Sequence, residues 1–152
     1  MTRVEKAESL HKSGCSCSQS VFGAFVADFG VDTKLANRLA AGFGAGLGRQ
    51  QLVCGAVSGA ALVLGLALGN EDGSQAEAKE RCYAAVHAFI DQARKEFGSV
   101  ECRSLLQGLD LTDPAQRAAF KERGLSAKVC DPVIKRCVAL LEERLRAEGR
   151  LA

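Results

Sequence analysis

An all-α single domain is the fold class this sequence predicts, and three observations carry it. Dense apolar residues recur at three- and four-residue spacing, no stretch alternates with the period of two that a half-buried strand shows, and residues that cap or stop helices fall between the apolar stripes. The 152 residues are 47% hydrophobic and 25% charged, which suits one compact core rather than two domains or a disordered segment. The expected architecture is a single compact bundle of six or seven helices, residues 1–152, around a buried central helix rich in glycine and alanine.

The elements follow in order. Val4 to Lys12 forms a short first helix that ends at Ser13-Gly14, where glycine favours a left-handed cap. Ser16 and Gln19 have the spacing of a capping box and start a second helix. It carries Cys17 in its first turn and Val21, Phe22, Phe25, Val26 and Phe29 along an apolar stripe, and Gly30 closes it. Asp32 or Thr33 caps a third helix through Leu35, Leu39 and Ala40, and Gly42 ends it. The fourth helix begins near Arg49 to Leu52. A long fifth runs from about Gln75 to Phe97, with Cys82, Val86, Phe89 and Ala93 on one face, until Gly98-Ser99 stops it. A short helix after Ser99, one from Pro114 to about Arg123 and one from Pro132 to about Glu148 complete the chain, each proline following an Asp suited to the N-cap.

Charge narrows the reading. Between Leu39 and Asn70 the only ionised side chain is Arg49, whereas Glu71 to Ala152 carries fourteen acids and fourteen bases. The charge-poor piece must be buried. Its eighteen uncharged residues from Leu52 to Gly69 reach the lower limit for a membrane span. Five small residues in the six from Cys54 to Gly59, with no aromatic or basic belts at the ends, instead favour a central buried helix. A net charge of +2 supplies no field for nucleic acid. The charged N-terminus lacks the apolar run of a signal peptide, so a reducing cytoplasm is the expected location and structural disulfides are not expected. Glycine at alternate positions from Gly42 to Gly48 matches no phosphate-binding spacing and reads as close passage of the chain by another backbone or a bulky inorganic group.

Seven cysteines in 152 residues are a smaller share than the roughly 8–10% of a short secreted disulfide scaffold, yet enough to require a chemical reason. Cys17, Cys54, Cys102 and Cys130 all fall at predicted helix starts, where unpaired amides and the positive end of the macrodipole favour a thiolate. Cys82 and Cys137 share faces with core residues and read as small hydrophobes. Cys15 is open between a spare ligand, a partner for a transient disulfide and an exposed residue. No C-x-x-C pair exists, so a shared site needs the fold to bring distant helix ends together. On the fourth helix Cys54, Ser58, Ala61 and Gly65 form a stripe flanked by Gly55 and Gly59, a groove that something can approach closely, an inorganic group or another helix. Ser58 is placed either to donate to the Cys54 sulfur or to bond back to its own helix. His11 is expected to be exposed, and His87, one turn from Tyr83, to be a hydrogen-bonded helix residue. Arg49 reads equally as a neutraliser of clustered thiolates and as a solvated residue.

The runs Cys17-Ser18-Gln19-Ser20-Val21-Phe22, Ala41 to Arg49, Cys54-Gly55-Ala56-Val57-Ser58-Gly59-Ala60 and Phe97-Gly98-Ser99-Val100-Glu101-Cys102, with Cys130 as the last cysteine, closely resemble the C-GCAxxG-C-C family, to which a redox activity is ascribed. The match covers roughly residues 13–140. Here Cys54 precedes Gly55, where the family name puts glycine first. The resemblance implies a redox or metal-cluster role for Cys17, Cys54, Cys102 and Cys130. Through a related domain of split-Soret cytochromes it also implies an iron–sulfur cluster of the 2Fe-2S type. No C-x-x-C-H motif is present, so haem is not implied. The expected activity is therefore electron transfer by an iron–sulfur protein or oxidoreductase. A cluster-free thiol/disulfide oxidoreductase, a structural zinc site and an interaction protein are the alternatives. The expected partner is a redox protein that the residues do not name, without nucleic acid or membrane, and homodimer formation is left open.

Overall fold

Caps fix where the helices begin. Thr2 and Ser16 each complete a capping box, the Ser16 hydroxyl accepting from the Gln19 amide at 3.3 Å while the Gln19 side chain accepts from the Ser16 amide at 2.9 Å. Asp32 and Asp113 accept from Leu35 and Ala115 in the same way. The computed structural model describes residues 1–152 and contains eight α-helices: α1 (Arg3–Lys12), α2 (Cys17–Phe25), α3 (Thr33–Ala41), α4 (Gly55–Leu68), α5 (Ala76–Phe97), α6 (Cys102–Leu105), α7 (Pro114–Glu122) and α8 (Asp131–Ala147). Seven have nine residues or more and α6 is a single turn, in keeping with the expected all-α bundle. A 3₁₀ turn, Val26–Phe29, carries the second apolar stripe to Gly30, which caps it at φ 66°.

Helix α4 lies at the centre, packed against α2, α5 and α8. Its fourteen residues span about 21 Å, well short of a bilayer core, and no helix is long and apolar enough to cross a membrane. It starts at Gly55, several residues later than expected. Residues 45–53 are occupied otherwise: Ala45, Leu47, Arg49 and Gln51 all have positive φ, and Val53 pairs with Glu101 in an isolated antiparallel bridge. The short turn Gly44–Leu47 is accordingly left-handed inside, at Ala45 and Gly46. Helix α3 also departs from its predicted face. Leu35 and Leu39 are about half exposed, while Ala36 and Ala40 are buried against α2, because Ser18 Oγ donates to the Ala40 carbonyl at 2.9 Å and so close an approach admits only small side chains. Asp131 does not cap α8. A π-turn, Ser126–Cys130, runs into that helix and leaves Asp131 within it in helical conformation.

Two apolar clusters result. The larger holds 27 buried residues from the bundle. The smaller has only Cys102, Leu106, Leu111 and Leu125, with Phe120, Val129 and Cys130 packed against it, and forms a cap over one end of α4.

Candidate thiol site

Three separate devices carry four cysteines to the seam between bundle and cap. The first is the close approach of α2 to α4. A Cβ on Gly59 would lie 2.9 Å from the Ser18 carbonyl oxygen, and one on Gly55 would lie 3.1 Å from the Cys17 Cβ, so the missing side chains let Cys17 sit beside Cys54. Another helix therefore fills the near end of the predicted groove, while the far end at Gly65 is open. The second device is the bridge. The Cys54 amide donates to the Val100 carbonyl and the Cys102 amide to the Leu52 carbonyl, both at 2.7 Å, which places these two cysteines on neighbouring strand-like segments. The third brings Cys130. His11 Nδ1 meets Asp131 Oδ1 at 2.6 Å, and His11 Nε2 lies 3.4 Å from Ser126 Oγ, tying the π-turn and the start of α8 to α1.

Cys17, Cys54, Cys102 and Cys130 thereby line one cavity of about 410 Å³. Its wall is mainly apolar, Arg49 and Arg117 stand at its exposed margin, and no carboxylate lines it. Burial raises the Cys54 thiol above its ordinary range, and the amides of Ala56 and Val57 at the start of α4 pull against that rise. Burial also pushes Cys102 up to about 12, helped by the neighbouring Cys54 and Cys130. Cys17 and Cys130 form a pair. Interaction between the two thiols raises Cys17 well above the ordinary value and lowers Cys130 below it.

All seven cysteines are free thiols. The expected core pair stays out of the cavity: Cys137 is fully buried in the bundle and Cys82 is half-buried beside it. Cys15 is half-buried, its sulfur 3.7 Å from Asn37 Oδ1. Cys17, Cys54 and Cys102 do lie at helix starts, but the expected thiolate is not favoured there. The neighbouring Cys130 raises Cys17, and burial outweighs the helix end at Cys54 and Cys102. Cys130, the last residue of the π-turn, has helical φ and ψ and no helix start of its own. The low value of Cys130 therefore comes from Cys17 rather than from a helix end. Ser58 bonds back to the carbonyls of Cys54 and Gly55. His87 pairs with Asp91, one turn on.

His11 corrects an expectation: it is largely buried and lines the cavity instead of facing solvent. Its partner lies 120 positions away, beyond any local pattern. Gln51 and Arg117 were missed as well. Gln51 is only 2% exposed, and its side-chain amide donates to the Leu109 carbonyl at 2.6 Å and accepts from the Leu111 amide at 2.8 Å, pinning the cap to the loop before α4. The polar residue inside a charge-poor stretch was the available signal. Gly46 bears out close backbone passage, since a Cβ there would lie 2.5 Å from the Leu52 nitrogen.

An all-helical domain that gathers four thiols from four separate segments around one cavity defines a cysteine-site protein rather than a disulfide scaffold. The chain belongs to the C_GCAxxG_C_C family, described as "Putative redox-active protein (C_GCAxxG_C_C)", whose family model matches residues 15–144. No curated protein and no solved structure matches the chain.

Proposed function

We propose that Cys17, Cys54, Cys102 and Cys130 hold an iron–sulfur cluster of the 2Fe-2S type and that the protein is an electron carrier. The observation that supports this most is the single cavity with four thiols and no carboxylate on its wall, a soft donor set of the kind such clusters take. When bound, the cluster would supply single-electron transfer. The chain's own residues do the rest. The mainly apolar walls limit the polar groups that face the sulfurs, and the α4 amides partly offset the burial that raises Cys54. Arg49 and Arg117 offset accumulated negative charge. No three His, Cys, Asp or Glu side chains are gathered closely enough to hold a metal ion as they stand, so a cluster or a zinc ion alike would have to draw the sulfurs together.

A second reading rests on the Cys17–Cys130 pair, two thiols on the wall of one cavity, of which Cys130 is lowered by its neighbour and Cys17 raised, an asymmetry that suits thiol–disulfide exchange. In that reaction the two thiols would give two electrons and two protons to a disulfide substrate and become a disulfide themselves. Protein made anaerobically with iron supplied separates the two readings. The cluster predicts visible charge-transfer absorption and acid-labile sulfide, both lost on Cys→Ser exchange at any of the four positions. Colourless protein without iron or sulfide would sink it and leave the dithiol reading.

A further inference from the structure

The cavity has more wall than a cluster needs. Its volume of about 410 Å³ falls in the range of small-molecule pockets, roughly 300–1,000 Å³. A four-atom iron–sulfur core would take up only part of it. Leu111 and Phe120 from the cap, with Leu105, which packs against the bundle, bound the remainder and present apolar surface rather than ligating atoms. At the mouth stand Arg49 and Arg117, both exposed and both absent from all ten ion pairs of the molecule. Arg49 holds its place in a left-handed conformation, φ 67°, that a non-glycine residue adopts only at a cost. The turn is maintained by the Gln50 amide donating to Leu47 and the Gln51 amide to Ala45. Two guanidiniums outside every ion pair, over a mainly apolar wall that no carboxylate lines, make a site complementary to an anion carrying an apolar body. Asp131, the acid that follows the lining Cys130, is held by His11.

We infer that this cavity binds a small organic carboxylate, its charged head between Arg49 and Arg117 and its body against Leu105, Leu111 and Phe120. The inference goes beyond the cluster reading and stands without it, because it concerns the cavity wall and mouth and not the thiols as ligands. It makes the site one that presents a small molecule to the sulfur chemistry instead of one that only passes electrons to a protein.

The test uses the full metal-free chain and reads iodoacetamide alkylation of each cysteine by mass spectrometry, with Cys82 as the internal reference. Hexanoate, hexylammonium and inorganic phosphate are the probes, each at about 10 mM, tenfold above a Kd of about 1 mM. Hexanoate is expected to slow alkylation of Cys54, Cys102 and Cys130 about tenfold and to leave Cys82 unchanged. Hexylammonium and phosphate are expected to do neither. Arg49→Gln and Arg117→Gln should each remove the protection without moving the urea midpoint. The second lies on the exposed face of α7 and keeps the test open if the first disturbs the turn. Absence of protection by hexanoate, or equal protection in both variants, overturns the proposal, and protection by phosphate alone overturns its apolar part. Iron and sulfide content are measured separately, so a colourless protein that hexanoate still protects would refute the cluster and keep the pocket.

Discussion

The bundle and the cap meet at the thiol cavity but are stabilised differently. Bundle residues such as Phe25, Leu64, Ile134 and Leu141 are fully buried in one continuous cluster, and hydrophobic burial of this kind contributes about 1.5–3 kcal/mol per large side chain. The cap buries four residues, and its longest helix, α7, buries none. Polar seams hold it down instead: the Gln51 amide, the Val53–Glu101 bridge and the His11–Asp131 contact. Each region contributes two thiols, Cys17 and Cys54 from the bundle side and Cys102 and Cys130 from the cap side. The site thus rests half on a rigid support and half on one that opens locally at lower free energy. Any group bound by all four sulfurs would close that gap by binding only the docked arrangement.

Four variants break or sharpen this comparison. Gly59→Val should act on the bundle and have the largest effect, about 3 kcal/mol, because the added methyl groups meet the α2 backbone and no flexible side chain can yield. A lowered urea midpoint together with loss of site reactivity is expected; an unchanged midpoint would remove the close-packed seam. Gln51→Ala should cost about 2 kcal/mol, leaving the Leu111 amide and Leu109 carbonyl unpaired. The loss should be confined to the cap, seen as faster amide exchange over residues 105–125 with α2 and α4 unaffected. Uniform acceleration would mean that the two regions unfold as one. Cys137→Ala should cost about 1–2 kcal/mol and leave iron content or thiol reactivity intact, with Cys82→Ala costing less because Cys82 is only half-buried.

The smallest effect is in the pH dependence. The Cys102 thiol is raised by burial, so its contribution to stability is complete below the unfolded thiol value of about 8.5 and is lost as pH rises toward about 12. Cys130 is lowered and works in the opposite sense, losing its contribution as pH falls through its folded value. In metal-free protein the wild type should lose under about 1 kcal/mol relative to Cys102→Ser between pH 7 and pH 9. Parallel urea midpoints across that interval would show that Cys102 is more open to water than its place in the cap implies.

Much of the bundle was legible in the sequence because it rests on local signals. The Ser16–Gln19 box and the Asp113-Pro114 start each act over a few residues, the clustered small residues of α4 marked a close approach without naming α2 as its partner, and the four cysteines stood apart by position and by resemblance. The cap and the mouth were not legible for the opposite reason. Nothing near His11 announces Asp131, and a left-handed run through Ala45, Leu47, Arg49 and Gln51 contradicts the preferences of every one of those residues. Tertiary hydrogen bonds hold it, such as those of the Gln51 side chain to the cap. The start of α4 was placed too early because the apolar run from Leu52 continues through a segment whose backbone pairs with Glu101. At Leu35 and Leu39 the apolar stripe pointed to one face of α3, and the small alanines made the contact.

The bridge that sets Cys54 beside Cys102 also sets a clock. Synthesis proceeds at about 5–20 residues per second, so the chain from Cys54 to Cys130 takes about 4–15 s to appear. For that interval Cys17 and Cys54 have emerged while the strand partner of Val53, and then the π-turn with its thiol, are still unmade. Until then the partial chain, lacking both the cap and α8, leaves those two sulfurs without their cover, and whatever binds all four must arrive after the fourth.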